Sequence, residues 1–178
     1  MGTTEKLYAP AVSRFFAALL PLLCGFVGVI IANTPISFVG GAVPAPLLAL
    51  APVYFWCLVR PDLMTPAAAF AIGMLEDVMS GAPPGVWTLS FVLAYALVAR
   101  QRESFAGLAG LGALLGFAAT ALAAIATACF VVGVYYWRLP PLGPVVAQLA
   151  MTVAFYIPAT YVVAMLHHRF VGPLRSDF

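Results

Sequence analysis

FAGLAGLGALLGFAATALAAIATACFVVGVYYW, residues 105–137, contains no charged side chain. A helix needs about 20 apolar residues to cross a hydrocarbon core of about 30 Å, so this run predicts a membrane span that must tilt or project. Five further apolar runs flank it, at 15–33, 45–59, 63–79, 84–99 and 142–166, each closed by a charge, a proline cluster or a polar turn. Their apolar residues are continuous rather than alternating, which excludes a transmembrane β-barrel. The expected fold class is therefore all-α: a polytopic membrane protein, one transmembrane domain over residues 1–178, with six helices in a bundle.

Composition agrees. Of 178 residues 64% are apolar, and the chain has only eight Lys+Arg and six Asp+Glu, where a soluble domain of this length carries about 44 charged residues. A soluble globular protein is excluded. A nucleotide-hydrolysing module, a periplasmic catalytic domain or a nucleic-acid surface would each need polar mass that is missing, and a net charge of +2 is too small to attract a polyanion. Lys6 and Arg14 precede the first run, but that run is longer than a signal-peptide core and no Ala-x-Ala follows, so it reads as a retained span.

Orientation follows from the basic residues. With a cytoplasmic N-terminus, Lys6, Arg14, Arg60, Arg100, Arg102, Arg169 and Arg175 lie inside and only Arg138 outside, which puts both termini in the cytoplasm. Tyr135, Tyr136 and Trp137, Trp87, and the pair Tyr54 and Trp56 read as interface anchors. The second and third runs are short for upright spans and need flanking residues or protein around their ends. Residues 34–46, with three prolines and two glycines, cannot be helical throughout and read as an apolar outer loop lying on the membrane or over the bundle. Pro158 should kink the sixth span and free a carbonyl near Thr152 and Thr160.

Little here resembles catalytic machinery. Cys24, Cys57 and Cys129 sit in separate apolar runs without metal-ligand spacing and read as small packing residues. His167 and His168 are adjacent, so they point about 100° apart on a helix and cannot chelate one metal; a cytoplasmic interfacial role fits them better. No phosphate loop, dinucleotide fingerprint or Ser/His/Asp set occurs, so the chain reads as non-enzymatic and without cofactor or metal. In the fifth run Gly112 and Gly116, continued by Ala119, Thr120, Ala123 and Ala124, form a small-residue face open to two uses: packing inside the bundle or against a partner's span.

The most informative residues are two acids at membrane depth, where carboxylates are costly. They stand in GMLEDVMSGAPPG, residues 73–85. On a helix Asp77 shares a face with Gly73 and Gly81, while Glu76 lies about 100° round with Ile72 and Ser80. Gly81 and Gly85 let the chain turn before Pro83 and Pro84 open the next span. Three readings of Asp77 are open: it accepts hydrogen bonds from backbone amides around the turn, it binds a partner protein, or it binds a proton, cation or small substrate.

From Pro44 to Gly85 the chain resembles the MreD family of rod-shape-determining proteins. The likeness lies in Pro44, Pro46 and Pro52, in Tyr54-Phe55-Trp56 followed by Arg60-Pro61, and in Gly73-x-x-x-Asp77-x-x-x-Gly81-x-x-x-Gly85. Length and six-span outline are similar too, whereas Glu76 departs from the family's commonly neutral residue before the aspartate. The resemblance implies a multi-pass protein of the bacterial inner membrane and a scaffold of the cell-elongation complex. It would bind MreC directly and, indirectly, the MreB filament and the synthases of lateral peptidoglycan, with membrane lipids around it. The family also looks, in fold, like the membrane substrate-binding subunits of energy-coupling-factor vitamin transporters. That likeness supplies an alternative, a small-molecule-binding subunit of an uptake system, for which Glu76, Asp77, Thr88, Tyr95 and Gln148 would have to converge on one pocket. A lipid-processing enzyme is disfavoured because no basic clamp for a pyrophosphate is present.

Overall fold

The computed structural model describes residues 11–34, 44–102 and 110–170. Lys6, residues 35–43 of the expected outer segment, Gly107 and Arg175 lie outside these residues, as do the side chains of Arg14 and His168. Regular structure among the described residues is entirely helical, in seven helices: α1 (Ala11–Asn33), α2 (Leu50–Val59), α3 (Pro66–Ser80), α4 (Val86–Arg100), α5 (Leu111–Tyr136), α6 (Leu142–Ala154) and α7 (Tyr156–Phe170).

Prolines set most of the helix boundaries. Pro52 has no N–H to give and is accommodated in the first turn of α2, so that helix starts at Leu50 rather than at residue 45. Pro44–Leu47 upstream is non-helical, and α6 supplies its hydrogen bonds: Gln148 Nε2 donates to Ala45 O (3.1 Å), and Leu47 N donates to Thr152 Oγ1 (3.0 Å). The third run becomes helical only at Pro66, the first residue after the Thr65 cap, whose hydroxyl accepts from Ala68 N. Between them Arg60 N caps onto Trp56 O, and Leu63 N closes a turn onto Arg60 O across Pro61. Arg60 also pairs with Asp62 at 2.9 Å, and that hydrogen bond raises its guanidinium above the ordinary arginine range. In the sixth run Pro158 cannot donate to Ala154 O, and the run divides at Phe155 into α6 and α7, bent by 41°. The two threonines bond elsewhere: Thr152 donates to Gln148 O, and Thr160 to Tyr156 O.

The short helix α2 is the hub. Seven of its ten residues are buried, and α1, α4, α5 and α7 pack around it. Two residues expected to be interface anchors are core residues instead, because α2 has neighbours on every side. Trp56 is 0% exposed, and Tyr54 meets Phe117 and Tyr156 edge-on while its hydroxyl donates to Ala113 O. His167 is likewise not interfacial. It is buried at 1% exposure with its ring 4.9 Å from that of Trp56, because α7 brings its last turns onto α2. Tyr135, Tyr136 and Trp137 are exposed.

The helix α5 is long and apolar enough to cross a membrane, and α6 with α7 meets the same test taken as one bent span. On α5 Gly116, Thr120 and Ala124 are buried within the bundle, largely against α4, while Ala119 is exposed. The small-residue face is thus used in part for packing inside the chain.

Candidate functional site: the turn between α3 and α4

Every helix leaves its first N–H groups without an internal partner. At α4 the N-cap residue is Gly85 (φ 100°), which has no side chain to satisfy them. Asp77, eight residues earlier on α3, takes that role. Its Oδ1 accepts from Trp87 N (2.7 Å), and its Oδ2 accepts from Gly85 N (2.9 Å), Thr88 N (3.1 Å) and Thr88 Oγ1 (2.6 Å). Val86 N turns to Pro83 O, and Leu89 N begins the regular helical ladder on Gly85 O. One carboxylate therefore collects three backbone donors and a hydroxyl at the positive end of a helix dipole. Asp77 is 5% exposed.

Gly73, Gly81 and Gly85, which with Asp77 make the four-residue spacing, serve this arrangement for separate reasons. A Cβ on Gly73 would come within 2.6 Å of Thr88 Cα and 2.8 Å of Trp87 O, so only glycine lets α3 lie against the first turn of α4 where Asp77 must reach it. Gly81 ends α3 in the left-handed conformation (φ 66°), and Gly85 needs its positive φ to start α4; a Cβ at either would meet nothing nearby.

Glu76 points elsewhere. Its Oε1 accepts from Asn33 Nδ2 at 2.9 Å, tying α3 to the end of α1, and Asn33 Nδ2 also donates to Val29 O at 3.0 Å. Glu76 is 5% exposed, so this bond matters to stability. Asn33→Ala is expected to cost about 1–3 kcal/mol, the penalty for leaving a buried carboxylate without its donor, whereas Glu76→Gln should cost less. Thermal unfolding of both single variants and the double variant checks this; strict additivity would mean that the pair is not coupled.

The other residues singled out in the sequence disperse. Trp56, Arg60 and Pro61 belong to the far end of α2, and Gly112 and Gly116 to α5. Of the five polar groups a small-molecule pocket would need, Asp77 and Thr88 meet on a hollow edged by Phe70, Met74 and Val78. Glu76 is turned to Asn33, Gln148 to Ala45, and Tyr95 packs against the hydrophobic core. Among the described residues no group of three His, Cys, Asp or Glu is placed to hold a metal ion. Two contributors were not anticipated. Asn33 lies far from Glu76 in sequence, and the capping role of the Thr88 hydroxyl has no motif beyond its distance from Asp77.

Compared with known protein families, curated proteins and solved structures, the chain matches none.

Proposed function

We propose that this chain is a six-span inner-membrane scaffold of the bacterial cell-elongation complex, non-enzymatic, with both termini cytoplasmic, and that it binds MreC. The observation carrying this reading is that both carboxylates at membrane depth are engaged in holding the bundle's own helices, Asp77 on α4 and Glu76 on α1. What the bundle offers outward is apolar surface suited to other helices. Only 33% of the α5 span is buried, unlike the core helix of a soluble protein, and large apolar residues are exposed on α1, α3, α4, α5 and α7. The similarity to MreD over Pro44–Gly85 supplies the partner.

The contact is assigned to the outer face of α3, where Phe70, Met74 and Val78 stand at four-residue spacing beside the Asp77 hollow, Val78 being 73% exposed. Val78→Trp should leave folding intact and lower recovery of MreC from detergent about tenfold, the effect of about 1.4 kcal/mol of lost fit. Unchanged recovery would move the contact elsewhere. MreC that is stable and correctly localised without this chain would sink the reading. A vitamin-sized ligand retained by the purified protein would favour the uptake-subunit alternative.

A further inference from the structure

Phe70, Met74 and Val78 rise about 12 Å along the outer face of α3, each half exposed or more. They border a hollow of about 450 Å³ that Pro84 and Thr88 close, and of the side chains around it only those of Asp77 and Thr88 are polar. The Thr88 hydroxyl gives its hydrogen to Asp77 Oδ2. That oxygen accepts three bonds, whereas Oδ1 accepts one, from Trp87 N. A carboxylate oxygen has about two lone-pair positions, so among the described residues one acceptor position is left, on Oδ1.

Charge selects the occupant. Among the described residues the one ion pair is Arg60–Asp62, at the other end of α3, and Arg138 is exposed and takes no part in lining the hollow. The N-terminus of α4 is equivalent to about half a positive charge, so the bonds that Asp77 makes there leave about half of a carboxylate's charge unanswered, at a depth where that is costly. Large apolar side chains at helical spacing fit a partner's spanning helix better than a lone ion or a lipid headgroup. What such a helix must add is one positively charged donor. With Oδ2 already holding three hydrogens, a two-pronged pairing is closed and a single N–H bond to Oδ1 is open. The apolar walls suit the methylene stem of a Lys or Arg.

We infer that the hollow receives one basic side chain from a partner's spanning helix, its stem against Met74 and Val78 and its charged head on Asp77 Oδ1. The inference rests on the α3 contact proposed above and adds the chemistry that the partner must bring to it.

Ala82 borders the hollow and makes none of the bonds to Asp77, so Ala82→Lys and Ala82→Glu, similar in bulk and opposite in charge, test the inference. The readout is recovery of MreC from detergent with the full chain, measured beside Val78→Trp. Ala82→Lys should lower recovery about fivefold, the effect of a like charge about 4 Å from the incoming head in water. Ala82→Glu should leave recovery unchanged or raise it, and high salt should narrow the difference. Both variants should keep the unfolding midpoint of the parent chain. Equal losses in the two, with Val78→Trp still lowering recovery, overturn this inference and leave the α3 contact standing as a purely apolar one. Unchanged recovery in Val78→Trp overturns both, by removing the contact. A partner whose span has no Lys or Arg within two turns of its outer end also overturns the inference, whatever its affinity.

Discussion

Asp77→Ala should lower the stability of the folded chain by about 3 kcal/mol. Loss of an ordinary N-cap costs about 1 kcal/mol and up to about 2. Here the same substitution removes a charged acceptor from the N–H groups of Gly85, Trp87 and Thr88 and from the Thr88 hydroxyl at once, and hydrogen bonds to charged groups are worth about 1.5–3 kcal/mol each before non-additivity is allowed for. For a chain of this size that corresponds to a fall of roughly 6–12 °C in unfolding temperature. Asp77→Asn should fall between. Its single amide oxygen can take the place of Oδ2, which accepts three of the four bonds, but its NH2 group would face the N–H of Trp87. Thermal unfolding in detergent, followed through tryptophan fluorescence because Trp87 lies in the site, measures the series. Three indistinguishable midpoints would show that the cap contributes nothing.

Gly73→Ala should cost about 2–3 kcal/mol, in the upper range for overpacking, because what a new methyl would meet is backbone. Thr88 Cα and Trp87 O cannot rotate aside as a side-chain end can, so α4 must retreat and Asp77 loses its reach. Gly133→Ala is the matched control on α5. Its Cβ would meet only Leu139 Cδ2 at 3.2 Å, on a side chain 81% exposed, and the helix gains up to about 1 kcal/mol of propensity. The two variants should therefore move the unfolding midpoint in opposite directions. A downward shift in Gly133→Ala as large as that in Gly73→Ala would mean that close backbone approach is not what selects glycine at position 73.

Helical class, the break at Pro158 and the divergent directions of Glu76 and Asp77 were legible in the sequence, because each follows from local chemistry: apolar continuity, a missing N–H, and 100° per residue. What escaped was decided by distant neighbours. Tyr54 and Trp56 beside Arg60 look like interface aromatics until four helices close around α2, and His167 looks interfacial until α7 folds back onto Trp56. The start of α2 depended on Gln148 and Thr152, about a hundred residues downstream, to satisfy the stretch beginning at Pro44. At the α3–α4 turn the spacing of Gly73, Asp77, Gly81 and Gly85 marked the place. That the approaching backbone belongs to the chain's own next helix was one of three open readings.

Asp77 and every group it binds lie within twelve residues of one another in the chain. Loop closure over so short a distance takes far less than a second, whereas a ribosome adds about 5–20 residues per second. The α3–α4 hairpin can therefore close as soon as both helices have left the ribosome, before the rest of the bundle has assembled. An aspartate entering a bilayer alone is opposed by several kilocalories per mole, but one already seated on a helix N-terminus arrives with its charge partly answered. On the membrane topology proposed above, the hairpin would enter the bilayer as a unit, and the bonds to Asp77 would serve the biogenesis of the protein before they serve its finished fold.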